Sequence, residues 1–348
     1  MDKEDVDARD KPGHDEEGMK FERSANALAA DWQAGRHGPK RHADEQIRRA
    51  RHRGGGKKTD FMTLAILFAF ASATLLGAGV VTAQFGLRHV EPLSGAAISV
   101  PTFTLLFLIF SPLILAGEPV MWRGLPIFIG IGLFFPAMLT FLTFASNRAL
   151  GPVVTSTLGN LAPVFAVILA LIFLHEPLRP MQLMGLVVAV AGAVVITMKR
   201  SGTSAHWRSI ALLMPLASAL VRGLAPPLVK LGLQVWPSPL WACLIGYITS
   251  SIVVLAVQRV RKGSFVPEAP LPGRIWFAIT GISNGLSALT LFAAVRNGPI
   301  TLVAPLLAIY PLVTVVLTAI MLRHIEISPR IVAGAVLTVA GVALVLAG

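Results

Sequence analysis

Residues 144–152 read FASNRALGP, and residues 292–299 read FAAVRNGP, one residue shorter. The same pairing continues on both sides. ASATLLG (71–77) returns as ASALVRG (217–223), Gly86 as Gly232, and Pro163 as Pro311. PMQLMGLVVAVAG (180–192) returns as PRIVAGAVLTVAG (329–341). The offset drifts only from 146 to 149 residues and the order never changes, so the chain carries one unit twice. Between the matched motifs lie long apolar runs: 61–84, 94–116, 124–146, 152–174, 181–198, 207–229, 239–257, 275–294, 300–322 and 331–347. Each is about the length a helix needs to cross hydrocarbon. A helix also satisfies its own backbone groups where no water is available.

The expected fold is therefore all-α and integral to a membrane, with ten transmembrane helices. Three segments follow: a charged tail over 1–60, a first five-helix repeat over 61–200 and a second over 201–348. An odd number of spans per copy makes the second enter from the opposite side, giving two inverted repeats. Secondary transporters use that architecture, rocking around a site near the midplane.

Charge supports the division. Only 14% of the residues are charged, against about a quarter in soluble domains. Residues 1–60 hold 14 of the 30 Lys+Arg and 13 of the 18 Asp+Glu. The tail has too few apolar residues to bury a core, which predicts disorder, with a short helix possible over 41–53. Its basic block at 36–58 would attract anionic lipid headgroups. The same block is costly to translocate, which places both termini in the cytoplasm of a bacterial-type inner membrane. The net charge of +12 sits mostly in short loops between apolar spans, so nucleic acid is not an expected partner. The eight His lie in the tail or loops, and Cys243 is alone. No metal or cofactor motif is present, and no acid or His lies inside a span. An enzyme is therefore not expected.

Arg222 is the one charge deep in an apolar run. A central Arg is expensive and by default functional; the alternative is a side chain snorkelling to an interface. Its repeat counterpart is Leu76. Prolines at Pro163 and Pro311 break helices and free carbonyls one turn earlier. Asn160 and Tyr310 stand beside those breaks and complete the first set of candidate substrate contacts. Gln84, Asn284 with Ser287, and Trp241 are weaker members, with interhelical hydrogen bonds as the alternative. Glu176 and Glu326 follow the fourth and ninth runs. They read either as gates or as caps receiving the N-terminal amides of the next helix, with Arg179 or His175 as partners for Glu176. Gly185, Gly192, Gly334 and Gly341 mark close packing, within the chain or in a homodimer.

Taken together, Gly151-Pro152, Pro163, FLHEPLRPMQLMG (173–185), VAVAG (188–192), Gly298-Pro299, Pro311, Glu326, Pro329, Gly334 and VAG (339–341) resemble the EamA-type branch of the drug/metabolite transporter superfamily. The resemblance spans about 61–348. It implies export of amino acids, other metabolites or toxic compounds. Where many members carry an Arg early in the second helix, this chain reads Ser99-Val100-Pro101. The expected function is a secondary exporter of a small polar metabolite or amino acid. An anionic or zwitterionic one is favoured, because no acid inside the spans neutralises Arg222. The other reading is a non-transporting sensory or interaction protein whose output is the charged tail.

Overall fold

The computed structural model describes residues 40–140, 142–143, 146, 158–197, 213–321 and 329–348. The chain divides into two units, Met1–Thr59 and Asp60–Gly348. In the first, residues 40–59 are helical, longer than the segment expected over 41–53. The disorder expected of residues 1–39 falls outside the described residues.

The second unit is a bundle of α1 (Phe61–Gly86), α2 (Pro92–Ile114), α3 (Trp122–Met138), α4 (Ala162–Leu174), α5 (Pro180–Thr197), α6 (Leu213–Val235), α7 (Pro239–Lys262), α8 (Leu271–Asn297), α9 (Ile300–Met321) and α10 (Pro329–Ala347). Among the described residues there is no strand. Among the described residues, seven of these helices are long and apolar enough to cross a membrane, whereas the described parts of α3, α4 and α5 are shorter. α3 is interrupted at Phe135, which leaves the helical region at φ −129° and ψ 122° just before Pro136. α4 is preceded by a turn at Asn160–Leu161. Proline opens several helices, where its missing N–H costs nothing. α7 shows a complete set of terminal signals. Ser238 accepts from the Trp241 amide, three basic residues occupy the last turn, and Gly263 ends the helix at φ 77°, the left-handed geometry glycine reaches freely.

The two copies pack into each other. A Cβ on Gly77 in α1 would lie 3.0 Å from the Tyr310 carbonyl in α9, and one on Gly223 in α6 would lie 2.7 Å from the Ala162 carbonyl in α4. Gly223 is the repeat counterpart of Gly77, and Ala162 of Tyr310. The pattern recurs at Gly132 and Gly281. Their missing side chains admit the Gly246 carbonyl of α7 and the Ser99 carbonyl of α2, at 2.7 and 2.0 Å from a built Cβ. Exchanging the copies maps each contact onto its partner, and each contact joins one copy to the other. Gly185 and Gly192 in α5 and Gly334 and Gly341 in α10 use the same device on each other. The small-residue stripes are therefore occupied within the chain.

Hydroxyl pairs reinforce these crossings. Ser72 in α1 and Ser287 in α8 each donate to the other's carbonyl at 2.8 Å. Thr82 and Thr280 lie 2.9 Å apart, and Thr104 and Ser251 2.7 Å. Such bonds hold helices together where the surrounding lipid supplies no hydrophobic drive. The outer faces carry exposed Leu105, Ile109, Leu113, Val187, Ile252 and Val336, an apolar surface suited to acyl chains.

Candidate functional site

A cavity of about 240 Å³ lies inside the bundle where the irregular stretches of backbone meet. The Phe135–Pro136 break of α3 lines it, as do Gly159 and Pro163 at the start of α4 and Leu307 and Tyr310 beside the break in α9. The α9 break falls at Ala308–Ile309, and the repeat offset at the paired prolines carries Asn160–Leu161 onto it. Both copies therefore turn at the same place, two residues before a proline. α6 contributes a third irregularity. Pro226 cannot donate to the Arg222 carbonyl one turn earlier, so that carbonyl loses its partner inside the helix.

Arg222 is the tenth residue of the 23-residue α6, about 14 Å along its axis at 1.5 Å per residue. It is half-buried and lines the cavity. Gly223 brings α6 against the α4 backbone and so sets Arg222 beside the paired breaks. Arg222 and Tyr310 share the cavity wall. Among the described residues no carboxylate or hydrogen-bond partner meets the guanidinium, and no other charged side chain lines the cavity.

The other residues singled out in the sequence separate into groups. Tyr310 and Asn284 line the cavity with Arg222. The Asn284 side-chain carbonyl is buried and unpaired, set against Gly79. Asn160 is buried behind the lining. It accepts from the Tyr310 hydroxyl at 2.9 Å and donates to the Ala193 carbonyl at 3.2 Å, so it holds Tyr310 in place. Gln84 is on an exposed face of α1. Trp241 stacks 5.3 Å from Trp236, away from the cavity lining. Pro163 lines the cavity and Pro311 is buried beside Tyr310. Glu326 lies outside the described residues.

Glu176 has a different partner from the ones its sequence neighbours suggested. His175 closes α4 in the left-handed region at φ 51°, which swings Glu176 across to the second copy. One carboxylate oxygen accepts from the Lys230 amine at 2.7 Å, and the other accepts from the Thr301 amide at 3.1 Å. Lys230 also donates to the Gly298 carbonyl at 2.7 Å. Glu176 thus caps α9, whereas the sequence pointed to the helix that follows it. Arg179 instead donates to the Gly348 carbonyl. Sequence reasoning missed Lys230 and the Phe135–Pro136 break. The available signal for Lys230 was its repeat counterpart Gln84, a neutral residue at a matched helix end. Among the described residues no group of three His, Cys, Asp or Glu could hold a metal ion.

The EamA-like transporter family model matches residues 63–198 and 209–347 of this chain. An uncharacterized transporter of Archaeoglobus fulgidus is 26% identical over 126 residues, which are 36% of this chain and 45% of that protein. The match thus spans less than half the length of that relative. A solved crystal structure shares the fold at a TM-score of 0.67 and 17% identity, covering 81% of this chain and 96% of the other.

Proposed function

The chain belongs to the EamA-like transporter family, and from that premise we propose that it is a secondary carrier exporting a small polar metabolite or amino acid. In this reading ten helices cross the inner membrane as two inverted five-helix repeats, over 61–200 and 201–348, with both termini in the cytoplasm. The substrate sits in the cavity, and the repeats rock about it to open one side and then the other.

One observation carries the reading: a lone half-buried arginine faces a cavity built where the breaks in α3 and α9 and the turn before α4 come together. Broken helices at a repeat interface are where carriers place substrate. Arg222, Tyr310 and Asn284 contact the substrate, and Asn160 positions Tyr310. The Glu176–Lys230 pair works as a gate at one end. It ties the α4–α5 connection to α6 and to the start of α9, so separating the repeats there requires its rupture. Glu326, which follows the ninth apolar run as Glu176 follows the fourth, is the second gate candidate.

The test is uptake and efflux of labelled amino acids and small anionic metabolites in proteoliposomes, wild type beside Arg222→Ala. Transport by the wild type that is lost in the variant supports the carrier and its site. Equal transport by both keeps the carrier and moves the site. Transport of nothing by correctly inserted wild type rejects the reading.

A further inference from the structure

Among the described residues the charge, the amide and the phenols that line the cavity all come from the second repeat, and the first contributes hydroxyls and apolar groups. The repeat offset carries Leu76 onto Arg222 and Ala162 onto Tyr310. Phe135 and Asn284 each follow the paired glycines Gly132 and Gly281 by three residues. All six line the cavity. At these three positions the first repeat presents hydrocarbon or an aromatic ring and the second a charge, a phenol or an amide, whereas Thr140 and Thr143 of the first repeat match Ala288 and Leu291. The remaining polar lining of the first repeat is hydroxyl; that of Thr143 is buried without a partner, and the others are committed. Ser72 bonds Ser287, Thr140 its own helix at Pro136, and Ser99 its own helix at Ala96.

A buried guanidinium without a counter-charge is costly. Among the described residues the protein supplies no counter-charge here. Of the five acidic residues beyond the tail, Glu176 is paired with Lys230 and Glu91 with Lys262. Glu118 and Glu268 lie in loops, and none of these four lines the cavity. A ligand carboxylate fits the planar guanidinium fork. A ligand ammonium finds no carboxylate, only Arg222 as a repelling neighbour and neutral oxygens such as that of Asn284. A single cation matches a single negative charge. An inorganic anion would leave the Leu76, Phe135 and Ala162 wall without a partner.

We propose that the cavity selects an amphipathic monoanion, a carboxylate on an apolar body with no cationic group. Its head lies on Arg222, Tyr310 and Asn284 of the second repeat, and its body lies against Leu76, Phe135 and Ala162 of the first. This rests on the reading of the cavity as the transport site, and it narrows the substrate from amino acids in general to acids lacking the amine.

Four probes built on one phenyl skeleton test it: hydrocinnamate (anion), its neutral amide, phenylalanine (zwitterion) and phenethylamine (cation). Their binding to the purified full-length protein in detergent is measured by titration calorimetry, with inorganic phosphate as a fifth probe. Wild type should bind hydrocinnamate about tenfold or more tightly than each of the others, a difference of about 1.4 kcal/mol. Arg222→Gln should lose that preference and Arg222→Lys should recover part of it. The comparison of hydrocinnamate with its amide needs no variant, so it stands even if an Arg222 substitution fails to fold. Phenylalanine or phosphate binding as tightly as hydrocinnamate overturns the inference, as does a preference that survives in Arg222→Gln, or no binding of any probe by folded wild type. Proteoliposome transport on the same preparations, with Ala288→Trp to fill the cavity, separates the two levels. Transport of any substrate blocked by Ala288→Trp but lacking the anion preference sinks the monoanion and leaves the carrier standing.

Discussion

The first and second repeats share their backbone and differ in their chemistry. Both have a small residue where a helix from one meets the other, at Gly77 and Gly223 and again at Gly132 and Gly281. Both turn two residues before a proline, at Asn160–Leu161 and Ala308–Ile309. Yet Leu76 faces Arg222, and Ala162 faces Tyr310, across one cavity. The lesson is that the duplication fixes packing while leaving side chains that point into the cavity free to diverge. Shared positions are then the architecture, and under the proposed function the unshared ones recognise the substrate.

The sharpest way to break this comparison is to move the charge. Arg222→Leu should lower transport of an anionic substrate about a hundredfold, because truncating one side of a buried charge pair costs about 2–5 kcal/mol. Adding Leu76→Arg, which returns the charge to the matched position, should restore part of the initial rate in proteoliposomes. No recovery would mean that the walls are not interchangeable. Next comes the shared architecture. Gly281→Ala and Gly132→Ala force a methyl against a backbone carbonyl, and overpacking of this kind costs about 1–3 kcal/mol. Thermal unfolding in detergent should show both midpoints falling. Gly159→Ala, whose Cβ would meet nothing within 4 Å, should not shift it.

The helix ends offer a smaller contrast. Lys230→Met removes the amine from a Glu176 carboxylate that is only 9% exposed, a loss of about 2 kcal/mol for a partly buried pair. The same substitution at Gln84, on an exposed face, should leave stability unchanged by the same thermal assay. Tyr310→Phe is the mildest. It deletes one hydrogen bond to Asn160, worth about 1 kcal/mol, and should shift the unfolding midpoint slightly.

Periodic and local features could be read from the sequence. The repeat, the apolar runs, the paired prolines and Arg222 all announce themselves through composition and spacing. Long-range choices did not. Glu176 finds Lys230 across 54 residues because His175 turns the chain out of α4 in a left-handed conformation, and no local pattern marks that turn. Asn160 looked like a substrate contact because it is polar and beside a break. Whether such a side chain points into the cavity or behind it depends on the rotation of its helix, which a sequence window does not contain. The kink at Phe135 was hidden for a related reason. The repeat counterpart of α3, α8, runs unbroken through Asn284, so the internal comparison gave no warning.

The exchange of contacts between the copies also sets the order of events during synthesis. Ser72 must wait for Ser287, 215 residues later, before its hydroxyl has its native partner. At about 5–20 residues per second that delay is roughly 10 to 40 s. Throughout it the inward face of α1 sits in lipid or against a holding factor of the insertion machinery. A truncated message ending after the first copy would yield helices whose seams at Gly77, Gly132 and Gly185 lack their neighbours. The seam of α1 therefore closes late, at the arrival of α8 and α9.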